Sequence, residues 1–318
     1  MVQTYQTYCF PARHTDLINF FEDQERIWNL QKVLPGDIPD LLFVDGNSWG
    51  GSLKTTRLPR SKKKVLFTGE ICSLGLAFDI ICCPNQVSSF LSRWKKFIYF
   101  PIYLFGNMVK IPEKPKTKNI LFLYSNPFAY YRRYLCSALQ KISPVDCPGT
   151  VLNNCSGTAG GRYKNWEEEK KDLLSSYQYC IAGENSCTPW YITEKFWDCL
   201  EVGTIPIYLW SPNVSSFVPE ECYIDVYKYI PKIYFIIPHW ILYFFPPKGY
   251  RLLYWFFRRI EWWFQRVLGY FIPWNTIAKK VLSDAPTKRP ITSEELEKLK
   301  KHKAIFFDTL KTVLFEEH

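Results

Sequence analysis

Metal chemistry has little to work with in this sequence. Its eleven cysteines form no Cys-x-x-Cys pair, and the four histidines (His14, His239, His302 and His318) are scattered. No Asp-x-Asp pair stands in a loop after a strand-like run, so neither a zinc site nor a divalent-metal carboxylate site is expected. Walker A and Gly-x-Gly-x-x-Gly patterns are also missing, which removes the common glycine-rich cradles for phosphate. The N-terminus, MVQTYQTYCFPARHTDLINFF, has no charged start followed by an apolar run, and no signal peptide or anchor is expected from it. The uncharged run 233–247 has fifteen residues and is broken by Pro238, Pro246 and Pro247. A membrane span needs roughly twenty. Internal repeats are absent.

What is present is an ordinary globular balance, 47% apolar and 22% charged, over 318 residues. That composition argues against a disordered or fibrous chain, and the length suits two domains. Aromatic residues make 18% of the chain, and the formal charge is +10. Residues 251–303 hold twelve basic and five acidic side chains, so much of the excess lies there and points to an anionic partner. The cysteines read as structural or incidental thiols. Asn154-Cys155-Ser156 and Asn213-Val214-Ser215 fit the N-glycosylation triplet, a motif short enough to arise by chance.

A helix is expected over residues 16–31. Short β-like runs follow at 40–44, 65–68 and 78–83, each closed by turn formers, as suits buried parallel strands. Residues 111–118, with two prolines and three lysines, read as a linker. A second domain then opens with a strand at 119–124 and helices at 131–141 and 164–176. A strand at 178–182, a helix at 191–201 and a strand at 204–209 form a βαβ unit, which implies parallel pairing with a right-handed crossover. The expected organisation is an α/β domain over 1–112, a second over 119–226, and an aromatic, basic helical region over 227–318. Two such α/β domains place ligands at the carboxyl ends of their strands.

The segment from Ala182 to Lys195 (AGENSCTPWYITEK) leaves a buried strand through a polar loop and enters a helix. Free N–H groups and the dipole at such a helix start suit a phosphate, and Lys195 adds a point charge. Glu194 beside it would repel phosphate and instead suits the hydroxyls of a sugar on the same ligand. Alone, a Glu-Lys pair is more often an ordinary solvated surface pair. Asn126 to Arg133 repeats the geometry, with arginines in the first helical turns, and arginine grips phosphate through a planar fork. In the first domain, Phe67-Thr68-Gly69-Glu70 puts a carboxylate at a strand's carboxyl end, where a general base could stand.

Glu184-Asn185, Tyr191-Ile192-Thr193-Glu194-Lys195 and Gly203-Thr204-Ile205-Pro206-Ile207-Tyr208, in this order, resemble the signature of the α-1,3-fucosyltransferases of glycosyltransferase family 10. Asn126-Pro127 with Arg132, and Phe67-Thr68-Gly69-Glu70, fit further landmarks upstream, so the resemblance covers roughly residues 65–226. It implies a GT-B fold of two Rossmann-like domains facing a cleft, with GDP-fucose on the C-terminal one. It further implies Arg132 and Lys195 on the donor phosphates and Glu194 on the ribose, with Asn185 and Tyr191 lining the pocket and Glu70 as the catalytic base. Phe67 stands where some bacterial members have tyrosine, and the aromatic segment 227–274 has no clear counterpart.

The expected activity is metal- and cofactor-independent, inverting transfer of L-fucose to a sugar hydroxyl, with an α-1,3 linkage and an N-acetylglucosamine-containing glycan acceptor. The alternatives are a transferase using another nucleotide sugar, or a catalytically idle membrane-surface protein. Nineteen of the forty-eight residues 227–274 are aromatic, and 226–260 holds no acidic residue. At 100° per residue, 251–271 forms a helix with Arg251, Arg258, Arg259, Gln265 and Arg266 on one side. Leu252, Phe256, Ile260, Trp263, Phe264 and Val267 lie mainly opposite. Such a helix suits a lipid–water interface, and peripheral membrane association follows: at the Golgi in a eukaryote, otherwise on the cytoplasmic face. The competing reading packs the aromatics on the domain and leaves the arginines outside. No nucleic-acid partner is expected, because no groove-reading motif occurs.

Overall fold

The computed structural model describes residues 3–8, 30–34, 37–45, 60–67, 78–83, 96–99, 114–155, 166–186, 188, 190–235 and 251–315. The chain divides into two units, one of residues 1–107, 241–258 and 300–318, the other of 108–240 and 259–299. In the first unit lie β1 (Gln3–Tyr8), β2 (Leu30–Lys32), β3 (Leu41–Asp45), β4 (Lys63–Phe67), β5 (Ile80–Cys83) and β6 (Lys96–Tyr99). They form one sheet in the order β2-β1-β3-β4-β5-β6, parallel throughout. Leu42, Val44, Val65, Leu66 and Ile81 are buried, as continuous apolar strands of a sheet covered on both faces should be. Strands were legible at β3, β4 and β5. The polar alternation of β1 (QTYQTY) hid a strand that pairs on both edges, and Leu30 and Gln31 belong to β2 rather than to the expected helix. The rest of that helix, 16–29, lies outside the described residues.

The second unit runs β7 (Lys118–Leu121), α1 (Tyr130–Leu139), β8 (Val145–Asp146), α2 (Trp166–Ser175), β9 (Tyr177–Gly183), α3 (Glu194–Glu201), β10 (Ile205–Leu209) and β11 (Ile224–Asp225). Its parallel sheet has the order β11-β10-β9-β7-β8. After β7 the chain crosses to β8 on one side and then returns to β9 on the other. Strand order therefore reverses between β7 and β9, which opens a crevice at their carboxyl ends.

Part of the expected linker is built in. Lys116 Nζ donates to Ser175 O and Val202 O, at the ends of α2 and α3, where helix carbonyls lack partners. The helix expected from 191 begins at Glu194 because Thr193 caps it. The last strand of this sheet, β11, is only two residues long and lies between two 3₁₀ turns.

Residues 227–318 do not stand apart as a third region. They hold α4 (Arg251–Phe271), α5 (Trp274–Asp284) and α6 (Ser293–Phe315). The unrecognised α5 buries Ile277, Ala278 and Val281 in the core around Ile120, Leu135, Ile181 and Ile207. Gly269 of α4 is a close approach: a Cβ there would come within 2.8 Å of the Tyr131 and Tyr134 rings. In the first unit, Phe306, Phe307, Leu310 and Leu314 of α6 pack on the sheet, with Phe306 at 6.4 Å from Phe67. All eight described cysteines are free thiols. Asn154 uses its side chain on Cys147 N and Val145 O, which works against glycosylation there.

Candidate active site

The two polar loops that leave β7 and β9 meet at the crevice of the second unit. Past Leu121, β7 parts from β9, and the Tyr124 side chain takes over the pairing. Its hydroxyl donates to Ile181 O (2.7 Å) and accepts from Gly183 N (2.8 Å). The Arg132 guanidinium lies 3.8 Å above the Tyr124 ring. Its fork donates to Asn126 O (2.8 Å), Gly183 O (3.3 Å) and Asn185 Oδ1 (2.9 Å). One arginine thus ties both strand-end loops to α1. Gly183 makes room for it, since a Cβ there would stand 2.9 Å from Arg132 Cβ. Arg132 is 1% exposed, and burial pulls its guanidinium down to about 10. The two terminal nitrogens donate to these three protein acceptors, while the buried Nε has no hydrogen-bond partner among the described residues.

Glu194 and Lys195 open α3 as expected, but not as a solvated pair. Lys195 Nζ donates to Thr193 Oγ1 and Glu194 Oε1, both at 2.9 Å, and lies 3.6 Å from Glu184 Oε2. Burial works against the Glu194 carboxylate, yet the Lys195 and Lys170 charges overcome it and hold the group down at about 2. It is a permanently ionised acceptor at neutral pH.

Glu184, which sequence reasoning placed in the motif without a role, is the buried hinge of the loop. Its Oε1 accepts from Thr193 N (2.7 Å) and its Oε2 from Thr193 Oγ1 (2.6 Å). Burial raises its pKa, opposed by the Lys195 charge. Tyr191 is buried, and its carbonyl accepts from Tyr208 OH. Two tryptophans at strand-end loops hold left-handed backbone, Trp190 (φ 68°) and Trp210 (φ 126°). Strain of that kind persists only where surrounding contacts fix it, as at ligand sites. Glu70, the expected base, lies outside the described residues; the strand before it, β4, ends at Phe67 in the other unit.

Sequence reasoning missed the part α4 plays. Glu261 Oε2 accepts from Ser186 Oγ (2.9 Å), and Gln265 Nε2 donates to Asn185 O (3.1 Å) and Glu261 Oε1 (3.2 Å). Trp262 stacks on Phe128 of the other loop at 4.9 Å. The helix therefore braces both loops with its polar side. This corrects the competing reading of α4: Arg258, Glu261 and Gln265 are buried, while Leu252, Phe256, Trp263 and Val267 are exposed. The signal was Glu261 and Gln265 one turn apart in a helix whose other charged side chains are all arginines.

Comparison with known proteins finds a family match over the stretch that holds these loops. The family model for glycosyltransferase family 10 (fucosyltransferase) C-term matches residues 113–233. That stretch, less than half of the chain, is similar to the family. Over 122 residues it is 35% identical to α-(1,3)-fucosyltransferase B of Drosophila melanogaster, covering 37% of this chain and 27% of that protein. Over 108 residues it is 35% identical to the α-(1,3)-fucosyltransferase FucT of Helicobacter pylori, covering 34% of this chain and 21% of that protein. The chain thus matches about a quarter of the length of these relatives. A crystal structure of an α1,3-fucosyltransferase with GDP-fucose superposes with a TM-score of 0.53 at 17% identity, over 98% of this chain and 90% of that one. That likeness gives the fold, GT-B-like with two parallel α/β sheets. The matched stretch contains both loops of the crevice, whereas α4, which braces them, lies beyond it.

Proposed function

We propose that the protein is an inverting fucosyltransferase that moves L-fucose from GDP-fucose to a hydroxyl of an N-acetylglucosamine-containing glycan, forming an α-1,3 linkage. The observation that carries this reading is the meeting, at one strand-order reversal, of a helix start bearing Lys195 with an ionised carboxylate, Glu194, beside it. A nucleoside diphosphate sugar needs both: a cation and helix N–H groups for the diphosphate, and a charged acceptor for the ribose hydroxyls. Arg132, Glu184 and the α4 brace fix the loop that carries Asn185 and Tyr191, which line the pocket in this reading. Fixed donors stabilise departing charge without reorganising.

In the transfer step, Glu70 takes the proton of the acceptor hydroxyl. Its oxygen bonds to the fucose anomeric carbon from the face opposite the diphosphate, and GDP leaves with the electron pair of the broken bond. Oxocarbenium character develops at that carbon as in glycoside hydrolysis. Lys195 and the start of α3 offset the charge gathering on GDP, so no divalent metal is required.

Incubation with GDP- and UDP-sugars in excess EDTA, scored by nucleotide release, tests the proposal. Release from GDP-fucose alone is expected. Release only from another donor would move the assignment to a related transferase, and release from none would remove it. Glu70→Gln is expected to slow turnover by about 10²–10⁴-fold while GDP affinity holds.

A further inference from the structure

We infer that α4 is an in-plane docking helix for an anionic lipid bilayer, lying in the headgroup region with its outward face. The inference stands apart from the catalytic reading.

The helix is turned inside out relative to a soluble one. Its buried arc holds Arg258, Glu261, Trp262, Gln265 and Gly269, whereas Trp263, Tyr270 and Phe271 are 56%, 77% and 65% exposed. Hydrogen bonds from Glu261 and Gln265 to the 185–186 loop fix this orientation. The apolar face therefore cannot roll inward without leaving buried polar groups unpaired. The stripe continues toward the helix start through Phe256, Trp255 and Leu252, all exposed. Soluble monomers rarely show a contiguous apolar patch of this extent unless it binds something.

The chemistry of the face selects the occupant. Trp and Tyr, with an apolar body and a polar tip, are the residues of the membrane–water interface. Arg259 and Arg266 are exposed on the same arc. Residues 227–274 contain seven basic side chains and one acidic one, and that acid, Glu261, is fully buried. An anionic surface complements this face. A second copy of the chain does not, because a two-fold contact would set these arginines against themselves. Among the described residues no helix is long and apolar enough to cross a membrane, so α4 lies on the bilayer.

Co-sedimentation with phosphatidylcholine–phosphatidylserine vesicles at low salt tests the inference, with phosphatidylcholine vesicles alongside. The wild-type protein is expected to pellet with the anionic vesicles and to show blue-shifted tryptophan emission. Arg259→Gln with Arg266→Gln should weaken partitioning by roughly 30-fold, and Trp263→Ser with Tyr270→Ser should abolish the pelleting. Circular dichroism melts that match the wild type show that both pairs of variants fold. A wild-type protein left in the supernatant, or both variants pelleting like the wild type, overturns the inference. So does concentration-dependent dimerisation that is lost in Trp263→Ser/Tyr270→Ser while vesicles bind nothing, which assigns the face to a second copy.

Discussion

Arg132 and Lys195 are both cations at helix starts, yet the structure surrounds them differently. Arg132 bonds to Asn126 O, Gly183 O and Asn185 Oδ1 while almost fully buried. Arg132→Ala should lower unfolding free energy by about 3 kcal/mol or more, since buried acceptors lose charged partners. Arg132→Lys should recover little of it, because a point charge cannot reproduce the fork. Lys195 is partly buried and bonds to Thr193 and Glu194 in its own turn, with the buried Glu184 carboxylate 3.6 Å away, so Lys195→Ala should lower the urea midpoint, but by less than Arg132→Ala. Equal destabilisation by the two alanine variants would contradict this division. The sequence pattern singled out both cations, but only side chains reveal themselves in a pattern. The acceptors that draw Arg132 inward are mostly backbone carbonyls from separate segments, and no spacing rule exposes them.

At the scale of elements, α4 shows what a helical wheel contains and what it omits. The 100° period located its two faces and its limits, Arg251–Phe271. Which face turns inward was not legible, because the usual preference for apolar burial is overridden by polar partners waiting on the 184–186 loop. Glu261→Ala should remove the Ser186 anchor and weaken GDP binding by about tenfold, a loss on the scale of one charge-assisted hydrogen bond. Glu261→Gln keeps an acceptor oxygen and should restore most of the affinity. Calorimetric titration with GDP separates the cases: if alanine binds like the wild type, α4 packs beside the loops without positioning them. The βαβ run through β9, α3 and β10 was legible because its apolar strands and its capped helix obey local rules. β1, β2 and β6 were not, being short or alternating with polar residues.

Across the whole molecule, depressed carboxylates in both units set the acid limit of stability. Asp40, bonded by Lys62 and by Thr4, and Glu295, bonded by Arg289, are each held at about 2, as is Glu194. Their ordinary values are 3.8 for Asp and 4.5 for Glu. A carboxylate lowered in the folded state stabilises fully above its unfolded value, and the contribution is lost as pH falls through the folded one. The melting temperature should therefore be level above about pH 5 and decline from about 4.5 toward 2. Glu184, whose pKa is raised by burial, works the other way and offsets part of the loss. Partly exposed pairs make each step modest. A melting temperature that held steady to pH 2 would contradict this account. At the same scale, no pattern in the sequence shows that residues 227–318 are shared between the two units. In α6 the apolar rows change partner along one helix: Leu299 belongs to the second unit, whereas Leu310 and Leu314 pack on the first sheet.

The central claim is that the crevice at the ends of β7 and β9 holds a nucleoside diphosphate sugar through Lys195. Isothermal titration of the wild-type protein and Lys195→Ala with GDP-fucose in EDTA tests it most directly. The account predicts saturable binding by the wild type and a loss of about 1.5–3 kcal/mol in the variant, the worth of one charged hydrogen bond. Unchanged affinity in Lys195→Ala, or no binding by the wild type, would contradict it.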